Sequence, residues 1–379
     1  MYPRISVEGA PRERGRQYGE AARERVRRSV EAYDEVFAAW ARWDRAKVRE
    51  EAVRFRAPIA AHGAKYLEEI QGIAEGAGVG EEDILAINVR TEILFAASAR
   101  DAAAQLPPLE CSSFAALPAR TGGAPLLGQT WDWLVHTFDT TIVLEARQDD
   151  GPDYVTVVEA GLLAKFGLNS AGVALVTNAL VCDADRGEPG VPYHVLLRSI
   201  LDAEVVSDAL GALARGVRAS SANYLIGHED GVALDIEAAP GDSARLFVGY
   251  PDRDLLLHTN HFRNPGFDGR DVAAGAMPDS PFRLARLEQL VAAAPGPLDR
   301  AFWTSTLGDH AMFPFGVCCH PDPREADTGR FASVAAAVVD PRERMLWLAS
   351  GNPCTAPFEP LDYGAFLSKP SPLHAPLTG

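Results

Sequence analysis

The chain has 379 residues, 47% of them hydrophobic and 23% charged, enough apolar sequence to bury a full core. Its formal charge of −16, from 36 basic and 52 acidic residues, argues against nucleic acid and anionic membrane as partners. No apolar run reaches the length needed to span a bilayer, and Met1-Tyr-Pro-Arg does not open a signal peptide. The five cysteines (Cys111, Cys182, Cys318, Cys319 and Cys354) are an odd set without CxxC spacing, which fits reduced thiols in a cytoplasmic protein.

The first hundred residues read as helical. Tyr18, Ala22, Val26, Val30, Tyr33, Phe37 and Trp40 trace one apolar stripe at steps of three and four. A second helical region carries Tyr66, Leu67, Ile70, Ile73 and Ala74, and Gly76, Gly78 and Gly80 are expected to break it. Acidic residues 81–83 suit the N-terminus of a third, which continues through Ile84, Leu85, Ile87 and Leu94. The stretch Leu106-Pro107-Pro108-Leu109-Glu110 cannot be helix interior.

After Cys111 the texture changes to short strands, expected at 113–117, 126–131, 141–146, 154–159 and 173–177. Helices return at 193–202 and 205–213. Strands follow near 224–227, 232–236, 245–248 and 255–258, then a helix at 281–293 and two strands at 332–339 and 345–349. Helices gathered before and among antiparallel-looking strands point to a layered α+β protein without internal repeats. Residues 370–379 read as a loose tail.

Cys111 stands at the change of texture, after the Pro-Pro stretch and before Ser112-Ser113. A thiol there could attack the Glu110 carbonyl, form a thioester and leave residue 111 as a new N-terminus. The freed α-amine titrates near 8 and a thiol near 8.5, so the amine can take the thiol's proton at neutral pH. Nucleophile and base would then belong to one residue.

These features resemble a known family. Cys111-Ser-Ser-Phe-Ala, Leu127-Gly-Gln-Thr-Trp-Asp132-Trp133, Glu159-Ala-Gly161, Gly167–Val173, His258-Thr-Asn260-His261 and Gly351-Asn-Pro-Cys354 are similar, in order and spacing, to the acyl-coenzyme A:6-aminopenicillanic acid acyltransferase family. The resemblance extends to Gly15-Arg-Gln-Tyr18-Gly19 and covers nearly the whole chain. It implies the four-layer αββα sandwich of N-terminal-nucleophile hydrolases and self-cleavage between Glu110 and Cys111. The products would be a mainly helical fragment 1–110 and a strand-rich catalytic fragment 111–379 that stay associated in one unit.

Carried over motif by motif, Cys111 is the nucleophile and Asp132 holds and polarises the new amine. Asn260 donates its side-chain amide to the tetrahedral oxyanion. Arg330 falls on a family arginine that could fix Asp132 by a two-pronged hydrogen bond. Thr130 stands where the family usually shows Asn, and Glu110 precedes the cleaved bond where the penicillin enzyme has Gly.

The expected partner is a small-molecule amide or acyl compound, with water or an amine as acceptor. Neither a metal nor an organic cofactor is required, and coenzyme A would enter only as a thioester substrate. His258 and His261, and the group Cys318, Cys319 and His320, lack paired metal-ligand spacing. Two alternatives stay open: association into a homo-oligomer, and a non-catalytic or unprocessed binding protein of the same fold.

Overall fold

The computed structural model describes residues 1–101, 104 and 110–369. The Pro-Pro stretch before the junction and the 370–379 tail therefore lie outside the described residues. Among the described residues, fourteen strands build two sheets: β1 (Arg4–Gly9), β2 (Glu110–Ala116), β3 (Leu126–Leu134), β4 (Thr141–Gln148), β5 (Tyr154–Glu159), β6 (Phe166–Asn169) and β7 (Val173–Ala179) come first. β8 (Ala222–His228), β9 (Val232–Ala238), β10 (Leu246–Gly249), β11 (Leu255–His258), β12 (Phe331–Asp340), β13 (Met345–Ala349) and β14 (Phe358–Asp362) follow.

One sheet runs β1-β4-β5-β6-β7-β8-β9-β10 and the other β11-β2-β3-β12-β13-β14. The sheets face each other, with β2 and β3 against β7. Helices Pro11–Ala21 and Val206–Ala214 cover the outside of the first sheet, and helices Ser280–Ala292 and Arg300–Thr306 that of the second. The layering is αββα. Sheet residues covered on both faces lose their polar–apolar alternation, so β5 and β7 are buried from end to end.

The N-terminal region contains a strand as well as helices. β1, in which only Ile5 and Val7 are buried apolar residues, pairs in parallel with β4. A run this short, bounded by Pro3 and Gly9, carries little periodic signal. The first apolar stripe is divided between helices Pro11–Ala21 and Arg23–Val36 and a π-helical turn at Phe37–Ala41. The third is likewise two helices, Glu81–Asn88 and Arg90–Arg100.

Gly76 does not break its helix, which runs from Ala64 to Ala77 and ends at Gly78 in the left-handed conformation. Gly72 and Gly76 instead meet Gly15 and Gly19 across a seam between two helices. A Cβ on Gly76 would lie 2.1 Å from the Arg16 carbonyl oxygen, and one on Gly15 would lie 2.2 Å from that of Glu69. Helix propensity is given up there for close backbone approach.

Candidate active site

Cys111 lies near the start of β2, opposite Trp131 of β3, with Glu110 opposite Asp132. Its neighbours come from several separate parts of the chain. The Cys111 backbone N–H donates to Asn260 Oδ1 at 2.8 Å, and Arg283 Nη2 donates to the same oxygen at 3.0 Å. Asn260 Nδ2 in turn donates to the Ala179 carbonyl at 2.9 Å. Two donors on one atom and an acceptor opposite the other fix which way the amide points.

The orientation expected for Asn260 is therefore reversed in the uncut chain. Its oxygen holds the nitrogen of residue 111, and its NH2 group is already engaged. The carbonyl of Cys111 accepts from Arg283 Nη1 at 2.8 Å and from Asn178 Nδ2 at 3.0 Å. Arg283 is itself held by Asp279, whose Oδ2 accepts from Nε at 2.5 Å.

Asp132 is buried beside the nucleophile. Its Oδ1 accepts from Ser333 Oγ at 2.6 Å and its Oδ2 from Thr130 Oγ1 at 3.3 Å, while its backbone N–H bonds the Cys111 thiol. A β-bulge at Val334 shifts the β3–β12 register between Ser333 and Ala335, directly opposite Asp132 and Trp131. Burial raises the Asp132 carboxyl to about 6, against the pull of Arg283 and the two hydroxyls.

Arg330 does not make the fork on Asp132 that its sequence position suggested. Its Nε donates to the Glu325 carbonyl at 3.0 Å, and Arg283 is the cation acting most strongly on Asp132. The departure at residue 130 has a local meaning too: Thr130 Oγ1 accepts from the Ser112 N–H at 3.2 Å and donates to Asp132, bridging β2 and the carboxylate.

A small cavity of about 20 Å³, room for roughly one water, opens on the thiol. Trp131 and Trp133 of β3, Thr91, Tyr193 and Lys165 are among its walls. Lys165 is buried, donates to Tyr193 Oη at 3.1 Å and lies 4.8 Å from the centre of that ring. Burial lowers its ammonium to about 8, partly offset by attraction to Cys111. Burial also drives the Cys111 thiol up to about 11, and Lys165 is the foremost charge pulling it back.

Arg90, also in the wall of this cavity, bonds Glu159 and the Tyr33 hydroxyl, and its guanidinium sits 4.7 Å from the Trp133 ring centre. Burial would raise the Glu159 carboxyl, but Arg90 prevails and holds it down at about 2. The structure thus adds Arg283, Lys165, Asn178, Tyr193 and Ser333 to the residues expected from sequence. None belongs to a spaced motif. Only the buried position of a lysine in an otherwise apolar segment, Leu162-Leu-Ala-Lys165-Phe166, could have drawn notice.

His258 and His261 do not share a cluster of metal-ligand atoms. His258 Nε2 lies 2.9 Å from Glu237 Oε1 and 4.0 Å from Asp235, whereas His261 Nδ1 is 2.8 Å from Ser280 Oγ. Among the described residues, no helix is long and apolar enough to cross a membrane.

Comparison with known proteins agrees with the sequence resemblance. Over 319 residues the chain is 28% identical to the 40 kDa form of acyl-coenzyme A:6-aminopenicillanic-acid-acyltransferase from Emericella nidulans, covering 83% of this chain and 84% of that protein. Among solved structures, an N-acylethanolamine-hydrolyzing acid amidase ortholog from Caenorhabditis elegans matches with TM-score 0.43 at 14% identity, covering 61% of this chain and 93% of that one. A mutant conjugated bile acid hydrolase from Clostridium perfringens matches with TM-score 0.47 at 11% identity, covering 68% and 94%. The sequence model of the acyl-coenzyme A:6-aminopenicillanic acid acyl-transferase family spans residues 119–355, well over half of the chain, and the protein belongs to that family.

Proposed function

We propose that the chain is a self-processing cysteine enzyme, which cuts itself before Cys111 and then carries acyl groups on that cysteine. The observation that supports this best is the hold on residue 111. Its N–H sits on Asn260 Oδ1, its carbonyl on Arg283 and Asn178, and its thiol faces a cavity shared with Lys165 and Asp132.

In the first step the thiol loses its proton and the sulfur attacks the Glu110 carbonyl carbon. Asp132, largely ionised above pH 6 and bonded to the thiol through its backbone N–H, is a candidate to accept that proton. The C–N bond of the tetrahedral intermediate breaks and the proton passes to the departing nitrogen, leaving a thioester between Glu110 and Cys111. Water then hydrolyses the thioester, releasing the Glu110 carboxylate and a free Cys111 thiol with a free α-amine. Asn260 Oδ1 is already positioned to accept a hydrogen bond from that amine.

In turnover the amine takes the thiol's proton and the sulfur attacks an amide or thioester carbonyl. The leaving amine or thiol departs protonated, and water or an acceptor amine regenerates the thiol. For Asn260 to stabilise the oxyanion, its Nδ2 must exchange the Ala179 carbonyl for the developing charge. Coenzyme A enters this scheme only as the leaving group of a thioester. The free cysteines fit a cytoplasmic setting, and the two fragments stay joined because β1 remains paired with β4.

Incubating the processed protein with a library of acyl amides, with and without an acceptor amine, tests this reading by product mass. Acid products indicate hydrolysis and new amides indicate transfer. An absence of any acyl-cysteine or product across simple amides and thioesters would favour a binding role.

A further inference from the structure

On the second sheet's side of the molecule, four soft ligands meet. His310 Nε2, His320 Nε2 and the sulfurs of Cys318 and Cys354 all lie within 4.8 Å of one another. The two nitrogens are 3.1 Å apart, and His320 Nε2 is 3.5 Å from Cys318 Sγ and 3.4 Å from Cys354 Sγ. A tetrahedral ion with metal–nitrogen bonds of about 2.05 Å and metal–sulfur bonds of about 2.3 Å has edges of about 3.3 Å between nitrogens and about 3.5 Å between nitrogen and sulfur. The observed separations match those edges.

We propose that His310, Cys318, His320 and Cys354 form a closed, tetrahedral Cys2His2 site for a zinc ion. A hydrogen bond between the imidazoles would account for the two histidines but not for two thiols at the same point. A disulfide would use neither histidine. Zinc uses all four. Binding releases both thiol protons, and two thiolates neutralise the ion's charge.

The surroundings supply the support such sites carry. The Cys354 backbone N–H bonds the Cys318 sulfur, and Asn352 Nδ2 lies 4.0 Å from it while donating to the Cys319 carbonyl at 2.6 Å. The Cys318 N–H donates to the Asp309 carbonyl and the His320 N–H to the Pro314 carbonyl, which fixes the loop carrying three of the ligands. Four protein ligands leave no open position, so the ion's work is structural.

The part it holds is consequential. Between the ligands Cys318 and His320, the Cys319 N–H donates to Ser333 Oγ at 2.9 Å, and that hydroxyl donates onward to Asp132. The ion would brace the far side of the carboxylate that faces Cys111. Of the cysteines expected from sequence, Cys319 takes this backbone role and is not a ligand.

Elemental analysis of the full-length protein, produced with added zinc and dialysed, should give one zinc per chain. Replacing zinc with cobalt(II) should give the visible bands of a tetrahedral, thiolate-bound ion. His310→Ala and Cys354→Ser should each lose most of the bound zinc, whereas Cys182→Ser should keep it. If those variants fail to fold, the cobalt titration of the unaltered chain still decides. A dialysed wild type with neither zinc nor a cobalt spectrum would overturn the proposal. So would a native mass two hydrogens light with a Cys318–Cys354 disulfide peptide.

Discussion

Cys111 and Cys182 are both buried thiols driven up to about 11, in each case chiefly by burial, yet the charges around them differ. Around Cys111 the cations Lys165 and Arg283 favour the thiolate, against the Asp132 carboxylate. Beside Cys182 the Asp185 carboxylate opposes it, and the thiol is 3.3 Å from the Ser221 hydroxyl in an interior packing site. Burial alone does not identify a nucleophile. The charges that would receive its ionised form, and the backbone held next to it, do.

The comparison breaks most visibly at Cys111. Cys111→Ala should abolish both chain cleavage and turnover, leaving one full-length chain on denaturing electrophoresis. Cys111→Ser should cleave slowly or in part, because a hydroxyl ionises far less readily than a thiol and the α-amine is still locked in the Glu110 peptide bond. Turnover surviving in the Ala variant would place the chemistry elsewhere.

Asn260→Ala should lower kcat by about a hundred- to a thousandfold with little change in KM, if its amide reaches the oxyanion in turnover. Steady-state kinetics on the processed fraction measures this, and a near-normal kcat would remove Asn260 from the site. Acidification should have a smaller effect. With the Asp132 carboxyl raised to about 6, lowering pH through that value protonates it and withdraws the acceptor, so self-cleavage should slow on the acid side. Asp132→Asn should slow cleavage and remove that acid limb, as followed by mass against time.

Cys182→Ala should have the smallest effect. It removes one sulfur from a packed interior and should cost on the order of 1 kcal/mol of stability, read from the denaturant midpoint. Cleavage and turnover should be unchanged, which sharpens the contrast with Cys111.

Much of this arrangement is legible in the sequence because strands carry it. Tyr154–Glu159, Leu255–His258 and Met345–Ala349 are β-branched, aromatic or aliphatic runs with clear ends, and the structure has strands at those residues. Cys111, Asp132 and Asn260 stand in ordered motifs, and the fold brings the three together. Arg283 and Lys165 were not legible, since each is a single residue on an element whose position relative to β2 only the tertiary fold sets. Arg330 shows the converse: it immediately precedes β12, which carries Ser333, but its side chain turns to the Glu325 carbonyl. Of the four converging His and Cys residues, the sequence brings Cys318 and His320 to attention, but His310 and Cys354 lie 10 and 34 residues from His320, outside any paired spacing.

The central claim is that the working enzyme carries a free α-amine on Cys111. Intact mass and N-terminal sequencing of the active, purified wild-type protein test it most directly. The account predicts two co-purifying chains, residues 1–110 and 111–379, with Cys111 as the second N-terminus and activity proportional to the cut fraction. Full activity in a homogeneous, uncut chain of 40.7 kDa would contradict it.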